Sequence, residues 1–299
     1  MKAVVMAGGE GSRLRPLTCN RPKPLVPIVN KPIMQHIIEL LVRCGFTDVI
    51  ATLHYLADEI ETYFGDGSEF GVRMRYTVEE TPLGTAGSVK QAEPWLSDGT
   101  FIIISGDALT DFDLRKAVEF HKRQGAMATI VLTRVESPLE YGVVITDQDS
   151  RIRRFLEKPD WSQVFSDTIN TGIYILEPEV LSYMELGKNY DWSQDIFPQL
   201  LKERKPLLGY LASGYWCDVG SLQAYRQAHY DALRGKVRLN IPGERGEDEI
   251  WVHPTARIEP GVRINGPAVI GSHATIRRGA VIEEFTVLGD SCIVEREAE

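Results

Sequence analysis

The chain of 299 residues contains no apolar run of about 18 residues, so no membrane-spanning helix and no membrane partner are expected. Its N-terminus, MKAVVMAGG, carries one lysine and an apolar run too short for a secretory signal; it reads as a first β-strand. Cysteine is scarce and scattered. Cys19, Cys44, Cys217 and Cys292 form no C-x-x-C pair, which suggests neither a zinc site nor a disulfide framework and suits a reducing cytoplasm. Positive charge is in deficit, with 33 Lys and Arg against 42 Asp and Glu and a formal net charge of −9. A nucleic-acid partner, which would need a basic face, is not expected. A small anionic substrate is still allowed, because a local cluster of cations acts inside an acidic protein. No Ser/His/Asp or Cys/His set stands out, and the six histidines are dispersed without an assignable role.

What the sequence does hold begins almost at once. The stretch AGGEGSRLRPLTCNRPKPLVPI, residues 7–28, has three glycines, four basic residues and four prolines. It fits neither standard phosphate loop: Leu14 stands where a dinucleotide fingerprint needs its third glycine, and no G-K-[ST] follows. What remains is Gly8-Gly9-x-Gly11-x-Arg13 after a strand. Glycines let backbone N–H groups approach phosphate oxygens, Arg13 adds a bidentate fork, and Lys23 a mobile point charge. A glycine-rich turn with surface cations would read the same way.

The first half alternates short apolar runs with helical patterns. AVVM, DVIATL, VRMRYTV and FIIIS read as strands; KPIMQHIIELLVRCG, ADEIETYF, GSVKQAEPWL and DLRKAVEFHKRQG read as helices. This rhythm predicts an α/β fold with a Rossmann-like, mainly parallel mixed sheet flanked by helices. Ligands in such folds sit beyond the carboxyl ends of the strands. The glycine loop and GDALTD, residues 106–111, both follow strands and should share one edge. From Ala128 the pattern turns more β-rich, ending in an amphipathic helix, SLQAYRQAHYDALRG.

Past a charged, glycine-rich linker the period becomes six. Val252, Ile258, Ile264, Ile270, Ile276, Ile282, Leu288 and Val294 recur at that spacing, each of the first seven followed four residues later by a small or β-branched residue. This pattern predicts a short left-handed parallel β-helix of hexapeptide repeats. The division expected is an α/β domain over 1–235, a linker over 236–250 and the repeats over 251–299. Repeat stacks need caps, and VEREAE offers none; a homo-oligomer covering the last coil, or a continuing chain, is therefore expected.

The long pattern G-G-x-G-x-R-L-x-P-L-T followed by P-K-P resembles the signature of the sugar-1-phosphate nucleotidyltransferases. The likeness continues in order through EETPLGTAG, SGDALTDFDL, YGVV, EKP, NTGIYIL and GYWCDVG, over roughly residues 1–235. It is nearest the mannose-1-phosphate guanylyltransferase branch, including fusions with a phosphomannomutase-like domain. The resemblance implies attack by a sugar-phosphate oxygen on the α-phosphorus of a nucleoside triphosphate. The nucleophile is already anionic, so no general base is required, and the work is positioning two polyanions.

The roles implied are these. Arg13 and Lys23 hold the triphosphate and the departing pyrophosphate. Asp107 and Asp218 bind Mg²⁺, which uses one or two carboxylates plus phosphate oxygens and water. On bare sequence Asp107 could be a helix N-cap, although Asp113 is better placed for that, and Asp218 a turn residue beside Gly220. Asp111 is a candidate partner behind the metal. Ala7, Gly8, Gly9, Gly11, Glu79, Glu80, Gly84 and Thr85 surround the nucleotide. Lys158 grips the sugar phosphate, and Gly142, Glu157, Asn170, Thr171 and Gly172 complete the sugar pocket. A carboxylate at Glu79 or Glu80 accepts from guanine N1–H and the 2-amino group, a pairing uracil and thymine lack. GTP and mannose 1-phosphate are thus favoured. Thr171 stands where many mannose-transferring relatives have alanine, which keeps the sugar open. UTP or dTTP with glucose 1-phosphate, and a non-catalytic regulatory subunit, are the alternatives; a regulatory subunit should have lost the charged residues that are present here.

Overall fold

A computed structural model describes residues 1–157, 160 and 166–299. Among the described residues nine strands form the central sheet. In chain order they include β1 (Lys2–Met6), β2 (Asp48–Leu53), β3 (Arg73–Val78) and β4 (Phe101–Ser105). The strand β5 (Ala108–Thr110) lies outside this sheet; β6 (Ala128–Arg134), β7 (Gly142–Thr146), β8 (Ile152–Glu157), β9 (Thr168–Leu176) and β10 (Leu207–Leu211) complete it. The order runs β8-β7-β9-β4-β1-β2-β3, with β6 between β9 and β10. β4, β1, β2 and β3 are mutually parallel, while β9 runs antiparallel to both β4 and β6. The mixed, mainly α/β architecture expected from the alternation is what forms.

Strand alternation explains the layers. Ala3, Val5, Ile102 and Ile104 face one way, into a core with helices α1 (Ile33–Arg43), α4 (Leu114–Gln124) and α6 (Leu222–Leu233). Val4, Phe101 and Ile103 face the other way, against α3 (Gly84–Gln91) and α5 (Phe197–Lys202). α2 (Ala57–Phe64) joins the first layer through Ile60 and Phe64. These strands read as unbroken apolar runs because both faces are covered. The proline in QDIFPQLLKER starts a helix late: a π-helical turn, Trp192–Ile196, precedes Phe197. Asp113 is indeed the N-cap of α4, accepting from the Arg115 amide at 3.2 Å.

In the C-terminal part, short strands pair parallel at a constant offset. Ile250, Trp251 and Val252 pair with Ala268, Val269 and Ile270, and these with Thr286, Val287 and Leu288. Arg257–Ile258 pair with Thr275–Ile276, then with Ile293–Val294. The apolar six-residue positions line a separate core around Ile270, Ile276 and Ile282; Ile258 is the exception, 42% exposed. Residues 236–250 are not bare linker, since Glu244–Arg245 pairs antiparallel with Trp251–Val252. Val269 sits in the α1/α6 core, and the Asn30 side-chain amide donates to the Leu288 carbonyl at 2.7 Å. The repeats thus touch the loop that follows Lys23.

Two histidines at this seam are neutral by burial. His36 Nε2 donates to the Ile28 carbonyl at 3.0 Å and His229 Nδ1 accepts from the Val29 amide at 3.3 Å. The opposite ring nitrogens are buried and, among the described residues, unpartnered. Burial pushes both down from 6.5 to about 4; Lys31 and His229 add to this at His36, against the Ile28 carbonyl. In the unfolded chain each binds a proton as pH falls through 6.5, whereas the folded chain waits until about 4. Stability is therefore fully present above neutrality and falls between those limits, by up to roughly 3 kcal/mol for His36. Urea midpoints at pH 7.5 and 5.0 should show the loss, and His36→Leu should lessen it by the share of His36, leaving that of His229. An unchanged pH slope in that variant would refute the assignment.

Candidate active site

The carboxyl ends of the four parallel strands deliver one cluster, as the β-α-β rule anticipates. β1 leads into the glycine loop, β2 into His54, β3 into Glu79, and β4 ends at Ser105 before Asp107. A cavity of about 310 Å³ lies over these ends, lined by Gly8, Gly9, His54, Glu79, Gly84, Thr85, Ser88 and Asp107 among others. A second cavity, also about 310 Å³, is lined by Glu140, Tyr141, Gly142, Glu157, Asn170, Thr171, Gly172, Asp191, Trp216 and Asp218. Thr85, Ser105 and Asp107 line both. Two chambers that meet at one carboxylate suit a reaction between two bound molecules.

Asp218 reaches this junction through β11 (Trp216–Asp218), which pairs antiparallel with β5 and sets Asp218 opposite Ala108. Lys23 joins the two acids: Nζ lies 2.5 Å from Asp107 Oδ2 and 3.6 Å from Asp218 Oδ1. The Ser105 hydroxyl donates to Asp107 Oδ1 at 2.5 Å. Burial raises the Asp107 carboxyl, but the Lys23 ammonium and the Ser105 hydroxyl outweigh it and hold the group below its usual range. Burial and the neighbouring Asp107 push Asp218 up, against the pull of Lys23 and Arg13. Two carboxylates sharing one lysine, one of them destabilised as an anion by the other, form a donor set that suits a divalent cation. A cation bound there would relieve the repulsion.

The glycines have distinct reasons. Gly11 has φ +63°, and a Cβ there would stand 2.8 Å from the Lys23 Cβ; glycine lets the lysine stem pass. A Cβ on Gly9 would meet nothing within 4 Å, so its backbone faces open space. Gly84 has φ +73° and abuts the Tyr190 carbonyl, where a Cβ would come to 2.4 Å. Arg13 is exposed on a 3-10 turn over Ser12–Leu14, and its Nη2 approaches Gly220 beside both Asp218 oxygens.

Glu79 and Glu80 part company. Glu79 is buried in the first cavity, its Oε2 accepting from the Leu83 amide at 2.8 Å and its Oε1 facing Gly8. Burial raises its pKa, against the Leu83 amide and His54. Glu80 is exposed and does not line this cavity. Ala7, by contrast, is buried at the end of β1, its amide donating to the Thr52 carbonyl at 2.9 Å. Thr85 donates to Asp191 Oδ2 at 2.8 Å and accepts from the Trp192 amide at 3.1 Å, closing the wall between the chambers.

In the second cavity β9 bulges: its pairing with β6 slips between Asn170 and Tyr174, and Gly172 has φ +73°. The bulge turns NTG toward the ligand space. The Thr171 hydroxyl donates to the Val131 carbonyl at 2.7 Å, so its side-chain donor is engaged by backbone. Gly142 is opposite Glu157; a Cβ there would press on the Phe155 ring at 2.7 Å and Glu157 Oε2 at 2.8 Å. Trp216 donates from Nε1 to the Thr171 carbonyl at 3.1 Å and packs edge-on against Tyr141. Lys158, expected at the sugar phosphate, lies outside the described residues.

Asp111 Oδ1 accepts from the Tyr215 amide at 2.8 Å and its Oδ2 from the Arg238 amide at 2.9 Å. It fastens the strand that carries Asp218. His54, Ser105 and Asp191 went unassigned from sequence. The first two sit at carboxyl ends of parallel strands, a signal that could have found them. Asp191 carried no sequence signal, because its place beside Thr85 is made by distant chain.

A family model described as nucleotidyl transferase matches residues 2–235. The chain belongs to the sugar-1-phosphate nucleotidyltransferase family. It is 37% identical to a UTP–glucose-1-phosphate uridylyltransferase of Synechocystis, over 96% of this chain and 82% of that protein. It is 34% identical to a mannose-1-phosphate guanylyltransferase of Mycobacterium tuberculosis, over 98% and 83%. Among solved structures, HddC of Yersinia pseudotuberculosis complexed with GMP-PN superposes with a TM-score of 0.66 at 27% identity, covering 76% of this chain and 97% of that one. The family and the two-chamber cleft agree on nucleotidyl transfer to a sugar 1-phosphate; the relatives divide between uridylyl and guanylyl donors.

Proposed function

We propose that this nucleotidyltransferase makes GDP-mannose from GTP and mannose 1-phosphate, releasing pyrophosphate. The observation that supports the reaction is the Lys23–Asp107–Asp218 cluster at the junction of two cavities. The first cavity takes the nucleotide and the second the sugar phosphate. A phosphate oxygen of the sugar phosphate bonds to the α-phosphorus as the bond to pyrophosphate breaks, the electron pair leaving with pyrophosphate. Lys23 and Arg13 offset charge on the phosphates, and the glycine backbone over Gly8–Gly11 receives the nucleotide. Asp107 and Asp218 would hold Mg²⁺, which would supply positive charge to offset that of the two polyanions. Asn170, Glu157 and the bulged Gly172 backbone line the space for sugar hydroxyls.

Base choice rests on Glu79. With one oxygen held by the Leu83 amide, the other is a fixed acceptor inside the cavity, suited to the adjacent N–H groups of guanine. The second reading, UTP with glucose 1-phosphate, is favoured by the 37% identity to the Synechocystis protein so named. Four nucleoside triphosphates against mannose and glucose 1-phosphates, read by pyrophosphate release, separate the two. GTP with mannose 1-phosphate should give the highest kcat/KM; a clear preference for UTP or dTTP would overturn the guanine reading.

We further read residues 251–299 as a parallel β-helix of hexapeptide repeats attached to a catalytic unit over 1–235. The pairing of Ile250 with Ala268 and of Ala268 with Thr286 supports this, being three hexads per coil.

A further inference from the structure

The base cavity holds a second acceptor besides Glu79. His54 follows β2 directly and lines the cavity beside Gly8. Its Nδ1 lies 2.9 Å from the Glu79 backbone carbonyl. A carbonyl only accepts, so Nδ1 carries the hydrogen. In the neutral ring Nε2 is then bare and can only accept. Among the described residues Nε2 has no hydrogen-bond partner, and it is not one of the sealed, unpaired nitrogens. The same residue therefore contributes twice: the Glu79 carbonyl fixes the ring, and the Glu79 carboxylate stands alongside it in the cavity.

We propose that His54 Nε2 selects the base by accepting from an exocyclic amino group, with Glu79 Oε1 taking the neighbouring ring N–H. This rests on the guanine reading above and deepens it. Guanine presents N1–H and the 2-amino group side by side, two donors for two acceptors. Uracil and thymine present one N–H flanked by carbonyls, so one of the two acceptors would meet a lone pair. A site built around such acceptors penalises a base lacking the donor, because the buried acceptor is left unpaired.

Inosine triphosphate, which lacks only the 2-amino group, isolates the contact. Wild-type kcat/KM should favour GTP over ITP by about tenfold, the size of one neutral hydrogen bond. His54→Phe, which keeps a planar ring, should bring that ratio close to one; His54→Ala should do the same and serves where the Phe variant does not fold. A general loss of activity would lower both rates together and leave the ratio intact. With GTP preferred by the wild type, an unchanged GTP/ITP ratio in the folded variants overturns the role of His54 alone. A wild type that prefers UTP overturns the guanine reading and His54 together, since uracil has no exocyclic amine.

Discussion

Asp107→Asn is expected to abolish turnover, by about 10³-fold or more, while the protein remains folded. Asparagine matches aspartate in volume and can still meet the Ser105 hydroxyl. It removes the charge that lies 2.5 Å from Lys23 and that lines both cavities. Among the described residues Asp107 is the carboxylate that lines both chambers, so its charge is central both to a divalent ion and to the placing of Lys23. Pyrophosphate release measures the loss, and circular dichroism with thermal melting checks the fold. Near-normal activity in a folded variant would remove Asp107 from the chemistry.

Lys23→Met should lose about 10²- to 10³-fold in kcat/KM and also reveal the metal site without any turnover. Lys23 is 7% exposed, and its stem lies against Gly11, so a methionine of similar length fits the same channel. Removing the ammonium leaves Asp107 and Asp218 facing each other with, among the described residues, the exposed Arg13 as the remaining cation acting on Asp218. Their side chains are 32% and 28% accessible, so solvent screens part of the repulsion. A loss of roughly 1–3 kcal/mol without metal is expected, less than for a fully buried broken pair. The freed carboxylate pair should then bind Mg²⁺ more tightly than in the wild type. At about a hundred times its dissociation constant the ion adds ~2.7 kcal/mol. The variant's melting temperature should therefore rise with Mg²⁺ more than the wild type's. A variant whose melting is indifferent to Mg²⁺ would refute the paired-carboxylate site.

The sequence by itself determined the layers and the edge on which the site lies. Unbroken apolar strands alternating with amphipathic helices leave few ways to bury both faces, and parallel strands end on one edge. The glycine loop and Asp107 were legible because each lies just past the end of such a strand. The six-residue period was legible because one apolar residue must return to the same core at every side of a coil, as Ile270, Ile276 and Ile282 do.

Tertiary structure alone decided the rest. Nothing in VEE distinguishes Glu79 from Glu80; the Leu83 amide captures one and leaves the other in solvent. The acceptor role of His54 depends on a carbonyl 25 residues away, and the wall made by Thr85 on Asp191, 106 residues away. Asp107 and Asp111 flank the short strand β5, yet Asp111 fastens the Asp218 strand through backbone amides and Asp107 faces the ligand space. Local pattern fixes which backbone a residue sits on. Which charges meet, and which hydrogen bonds are already occupied, follows only when distant segments share the same low-dielectric space.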